Sequence, residues 1–201
     1  MSRGAIIVLS IVAFLVLICL SIAGCGVANY NKLVSYDENV KQSWGQVENQ
    51  YQRRYDLIPN LVETVKGYAK HEEEVFEKVA EARSSVGKLT VTPEILNDPQ
   101  AFGRFQQAQD ALSSALTRLM AVSENYPNLK ADQNFLALQS QLEGTENRIA
   151  VERQRFNQSV QSYNTLVRRM PSAIIASLFG FHERPYFEAQ QGASTAPKVQ
   201  F

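Results

Sequence analysis

The chain has 201 residues, 45% of them hydrophobic, which suits one domain with a buried core behind an N-terminal segment. Twenty Lys and Arg balance twenty Asp and Glu, so no basic excess points to nucleic acid as a partner. Cys19 and Cys25 are the two cysteines, and the chain beyond them has neither disulfide nor thiol chemistry.

Ala5 to Ala23 is apolar apart from Ser10, Cys19 and Ser21, and it carries no charge. That is about the length needed to cross a bilayer as a helix. Two readings stay open. One is an uncleaved signal anchor. The other is a lipoprotein signal peptide, because Ile22-Ala23-Gly24-Cys25 resembles a lipobox, in which the Cys25 sulfur carries the lipid. Both attach the rest of the chain to a membrane. Arg3 and the amino terminus favour a cytoplasmic N-terminus, and the lipobox reading adds weight to a domain outside the cytoplasm. A lipoprotein would also open the outer membrane as a destination.

Tyr36, Val40, Trp44, Val47, Tyr51, Tyr55 and Ile58 recur in steps of three and four, one face of a helix. The pattern resumes after Pro59 with Leu61, Val62, Val65, Tyr68, Ala69, Val75, Phe76, Val79 and Ala82. Proline is tolerated in the first turn of a new helix, and Asp56 stands where a short side chain caps free amides. The spacing therefore predicts a hairpin turning at 56–58, with a second helix from Pro59 to Ser85. The competing reading is one long helix kinked at Pro59. Glu72, Glu73, Glu74, Glu77 and Glu81 read as a solvated face.

Residues 86–98 form the longest connection, with a short turn opened by Thr92-Pro93-Glu94. Asp98 then caps a third helix that starts at Pro99. Its apolar face reads as Ala101, Phe105, Ala108, Leu112, Ala115, Leu119, Val122 and Tyr126, an a/d repeat. Asn125-Tyr126-Pro127-Asn128 ends it. A fourth helix runs from about Asp132 to Met170 and is stopped by Pro171. Ser172 to Phe181 is apolar but too short to span a bilayer. It reads as a cap over an open end, or else as a surface for the membrane or a neighbouring copy. The tail from Gln190, with Gly192, Ser194, Thr195 and Pro197, reads as disordered.

The run QRRYDLIPNLVETVKGYAKHE, preceded by YNKLV and Trp44, resembles the signature of the LemA family of bacterial membrane-anchored proteins. YPNLKADQNFLALQSQLEGTENRIAVERQRFNQSVQSYN and LFGFHERPYFEA resemble two further family segments, so the likeness covers about residues 29–189. It implies an N-terminal anchor before an antiparallel four-helix bundle, and no established catalytic residues. The helix lengths and short connections independently fit an all-α, up-down-up-down bundle. The expected division is an anchor or signal peptide at 1–28, the bundle at 29–171, a cap at 172–189 and a tail at 190–201.

Chemistry is sparse. A bundle di-iron site needs Glu-x-x-His, and neither His71 nor His182 has a glutamate three residues before it. No zinc cluster, phosphate loop or nucleophile with a histidine partner is visible, so no metal or cofactor is expected. The polar residues on or near apolar faces are Arg53, Arg54, Asp56 and Asn60, with Glu146, Arg148 and Arg153 later in the chain. They form either a partner or ligand site between helices, or ion pairs that fix register. The leading expectation is a non-enzymatic, membrane-tethered adaptor or scaffold of the bacterial envelope, with an unidentified protein partner or self-association. The alternatives are a lipid- or small-ligand-binding bundle, and an enzyme relying on carboxylates such as Glu63 or Glu146.

Overall fold

The computed structural model describes residues 3–89 and 92–188. The tail expected to be disordered lies outside the described residues. Among those described, the chain is all-α, and no strand is formed. Helix α1 spans Arg3–Tyr68, α2 Glu73–Gly87, α3 Pro99–Val122, α4 Pro127–Lys130, α5 Gln133–Arg168 and α6 Ser172–Phe179. A 3₁₀ turn at Pro93–Asn97 precedes α3, and another at Ser123–Asn125 precedes α4.

The hairpin expected at 56–58 is absent, because α1 runs straight through Pro59. Asp56 is no cap; on the helix surface it accepts a hydrogen bond from Gln52 Nε2 at 2.8 Å. A proline inside a helix costs about 3 kcal/mol. Ile58, Leu61 and Val65 lie on one stripe and are at most 1% exposed. Each such side chain contributes about 1.5–3 kcal/mol on burial, so an unbroken stripe outweighs the proline. The chain turns instead at Ala69–Glu72, just past Gly67, a weak helix former. The second helix expected from Pro59 to Ser85 is therefore the end of α1 followed by α2.

The start of α3 follows the sequence closely. Asp98 Oδ1 accepts from the Gln100 and Ala101 amides at 2.8 and 3.1 Å, with Pro99 in the first turn. Its buried face is Phe102, Phe105, Gln109, Leu112, Ala115, Leu116, Leu119 and Val122, which is rotated from the expected one at Ala101 and Ala108.

Two compact units are distinguished: Met1–Val40 with Ser159–Glu183, and Lys41–Gln158 with Arg184–Phe201. In the larger unit α1, α2, α3 and α5 share a core that includes Ile58, Leu61, Phe76, Val79, Leu112, Leu119, Phe135 and Leu142. A second, aromatic core lies around Trp44, which is fully buried as its mid-face position predicts. In the smaller unit, Leu33 and Val40 of α1, Val160, Tyr163 and Val167 of α5, and Ala176 of α6 are buried.

Candidate functional site

Arg54 of α1 is the largest buried charge of the larger unit, with 1% of its surface exposed. It lies one helical turn past Tyr51, so the stripe that buries Tyr51 also carries the guanidinium inward. A buried charge must find partners or it costs several kcal/mol. Arg54 finds them on two other helices. Nη1 donates to Ser113 Oγ of α3 at 2.6 Å and to Glu146 Oε1 of α5 at 2.9 Å. Nη2 donates to the Gln109 carbonyl at 3.4 Å and to the Gln109 side-chain oxygen. The guanidinium also stands 5.0 Å from the centre of the Tyr51 ring. Burial pushes the Tyr51 phenol pKa up, against the opposing charges of Arg153 and Arg54, so the ring stays neutral.

Two solvent-open grooves flank this hub. One, of about 340 Å³, is lined by Tyr51, Tyr55, Val86 and Gln109 among others. The other, of about 430 Å³, includes Ser113, Met120, Leu142 and Glu146. An arginine has no proton to give at ordinary pH, so Arg54 supplies fixed positive charge and geometry.

Of the polar residues singled out in the sequence, the structure brings Arg54 and Glu146 together. Arg53, Asp56, Asn60 and Arg148 are exposed and stand outside this hub. Arg153 belongs to a neighbouring arrangement, 3.8 Å from Asp110 and 4.5 Å above the Phe187 ring. Gln109 and Ser113 were missed. The signal for Gln109 was present, since Phe102, Phe105, Gln109, Leu112, Leu116 and Leu119 also follow steps of three and four, with one polar residue inside the stripe, whereas Ser113 lies off it.

The second built feature is the extended segment 184–188. Phe187 inserts among Trp44, Phe102 and Phe156, with ring centroids 6.1, 4.8 and 5.4 Å away. Side chains hold its backbone. Asn157 bonds both the N–H and the carbonyl of Phe187, and Gln106 does the same for Glu188. Arg153 adds a bond to the Glu188 carbonyl at 3.1 Å.

Cys25, the lipidation candidate, is exposed within α1. Asn29 Nδ2 donates to its carbonyl at 2.8 Å.

Residues 43–201 match the LemA family. Over 95% of its length the chain is 28% identical to Magnetosome protein MamQ of Magnetospirillum gryphiswaldense, of which it covers 73%. It is 26% identical to Magnetosome protein MamQ 2 of Paramagnetospirillum magneticum, over 94% of this chain and 72% of that protein. The same figures hold for MamQ 1 of that organism.

Proposed function

The chain belongs to the LemA family, and from that premise we propose that it is a membrane-tethered scaffold of the bacterial envelope, acting through protein contacts without catalysis. The observation that carries this reading is the first part of α1. It is long and apolar enough to cross a membrane, and its side chains from Ile11 to Leu20 are all exposed. In a protein folded in water alone, so continuous an apolar surface would be a liability; facing lipid, it is an anchor. The sharing of one core by α1, α2, α3 and α5 supports an antiparallel up-down bundle as the tethered part. The Arg54 hub supports a structural use of its charge, because both terminal nitrogens are committed to protein acceptors.

The test is native purification from detergent-solubilised membranes after cross-linking in cells. The scaffold reading expects the same protein partners, or a second copy of this chain, in repeated isolations. A small molecule that copurifies repeatedly with no protein partner would overturn it. That outcome would favour the second reading, a small-ligand binder using the grooves of about 340 and 430 Å³ beside Arg54.

The manner of tethering divides on Cys25. Under lipidation, residues 1–24 are removed and acyl chains hold the protein, about 0.8 kcal/mol per buried methylene. As an uncleaved anchor, the full chain of 22.5 kDa persists. Intact mass of the parent separates these directly. The variant Cys25→Ser accumulates as unprocessed precursor in the first case and matches the parent's retention in the second.

A further inference from the structure

The helix α6 presents an exposed apolar face. Ile174, Leu178 and Phe179 are 52%, 72% and 62% exposed, and no Asp, Glu, Lys or Arg occurs from Pro171 to Phe181. A short helix free in water does not keep three such side chains outward without something to cover them.

Its position says what covers them. Within the smaller unit, α6 packs beside residues 26–30 of α1. Ser172 Oγ donates to Asn29 Oδ1 at 2.8 Å. The Tyr30 ring lies 4.8 Å from Phe179 and 5.9 Å from Phe181, centroid to centroid. Ile175 lies against Gly26, its Cδ1 3.9 Å from where a Cβ would stand, an ordinary packing distance. Gly180, at φ 75°, ends α6 in a left-handed turn that only glycine adopts readily, which folds Phe181 back toward Tyr30.

From Gly4 to Asn31 the chain has no Asp, Glu, Lys or Arg, and Lys32 is the first charge beyond it. At 1.5 Å per residue that uncharged helix is about 40 Å long, close to the 40–45 Å of a bilayer with its headgroups. Residues 26–30 therefore fall at its outer boundary, where tyrosine is favoured. Lipid attached to Cys25 would place the bilayer surface at the same level, one turn before the α6 contact.

We infer that α6 is an interfacial membrane helix: Ile174, Leu178 and Phe179 lie in the headgroup–acyl boundary of the bilayer that holds the N-terminal segment. This rests on the membrane-tether reading above. The occupant is lipid, because α6 sits beside residues 26–30 of α1, where the exposed aliphatic run from Ile11 to Val27 ends. Arg169 precedes the helix as an exposed cation suited to headgroup phosphates, and Arg168 beside it stands 3.9 Å from Glu183.

The experiment uses the full chain in phosphatidylglycerol–phosphatidylcholine vesicles, with a second tryptophan introduced as Leu178→Trp or, separately, Ile174→Trp. Both parent side chains are exposed, so neither change disturbs a core. Buried Trp44 provides the constant background and the report of folding. Lipids brominated near the headgroup end of the chain should remove about half or more of the added emission, as burial ~5–10 Å deep requires. Aqueous iodide should leave it largely intact. Quenching by iodide and not by bromolipid would overturn the inference, showing a helix that faces water. Resistance to both would also overturn it, showing a face covered by protein such as a second copy. Carbonate extraction separates the two levels. A chain that leaves the vesicles sinks the tether itself, whereas a retained chain with no lipid quenching sinks only the placement of α6.

Discussion

Asn157 treats Phe187 as a neighbouring strand would. Its Nδ2 donates to the Phe187 carbonyl at 3.0 Å, and its Oδ1 accepts from the Phe187 N–H at 2.9 Å. The segment 184–188 has no ladder of its own, and these bonds replace one. They aim the Phe187 ring into the aromatic core around Trp44. Phe187→Ala is expected to cost about 3–5 kcal/mol, the usual range for truncating a buried aromatic. Asn157→Leu should cost about 1–3 kcal/mol, because two backbone groups lose their partner. Thermal unfolding followed by circular dichroism checks both. A loss below about 1 kcal/mol for Phe187→Ala would mean the segment is not held in place.

The Arg54–Glu146 pair should be asymmetric under mutation. Glu146 is 38% exposed and water can receive its charge, whereas Arg54 is 1% exposed and has no such recourse. Glu146→Leu leaves an uncompensated buried cation and should cost about 3 kcal/mol. The double change Arg54→Met with Glu146→Leu should recover most of that, since it removes the stranded charge and roughly keeps volume. Strictly additive losses across this cycle would show that the two residues are not coupled.

Pro59→Ala is expected to stabilise the protein. Proline stands within α1, lacks an N–H and crowds the preceding turn. Alanine restores a backbone donor and should raise the unfolding free energy by about 1–3 kcal/mol. A fall in melting temperature would mean that the proline itself is required at this position.

The Asp132 carboxyl governs an acid-sensitive contribution. It accepts from the Phe135 amide at 2.9 Å at the start of α5 and from the Tyr68 hydroxyl, also at 2.9 Å. The backbone bond first, then the tyrosine, hold its pKa below the usual carboxylate value. A depressed carboxyl stabilises the fold above its unfolded pKa, and that contribution is lost as pH falls through the folded value. Asp132→Asn keeps an acceptor for the Phe135 amide but cannot titrate. Its unfolding midpoint should therefore decline less than the parent's as pH drops through the carboxylate range. Identical acid limbs for parent and variant would contradict this role. The same bond raises the Tyr68 pKa, so its contribution is present below the ordinary phenol value and lost as pH rises through the folded one.

Helix content, the apolar N-terminal segment and the capped start of α3 were legible in the sequence because each depends on neighbours along the chain. Asp98 reaches amides two and three residues away, and Trp44 shares a stripe with residues three and seven positions on. The family resemblance was legible for the same reason, in contiguous runs. The place where α1 ends was not. Local rules put a turn before Pro59, and packing of Ile58, Leu61 and Val65 along one stripe overrode them. Nor could periodicity choose between two nearly equivalent faces of α3. That choice was made by partners: Gln109 and Ser113 face Arg54 from 55 and 59 positions away, and Glu146 meets it from 92. The Phe187 clamp and the seat of α6 beside Tyr30 likewise join segments remote in sequence. One-dimensional spacing holds the amphipathic pattern of each helix, but a buried charge or ring settles where partners from other helices can satisfy it, and only the tertiary structure brings those partners within reach.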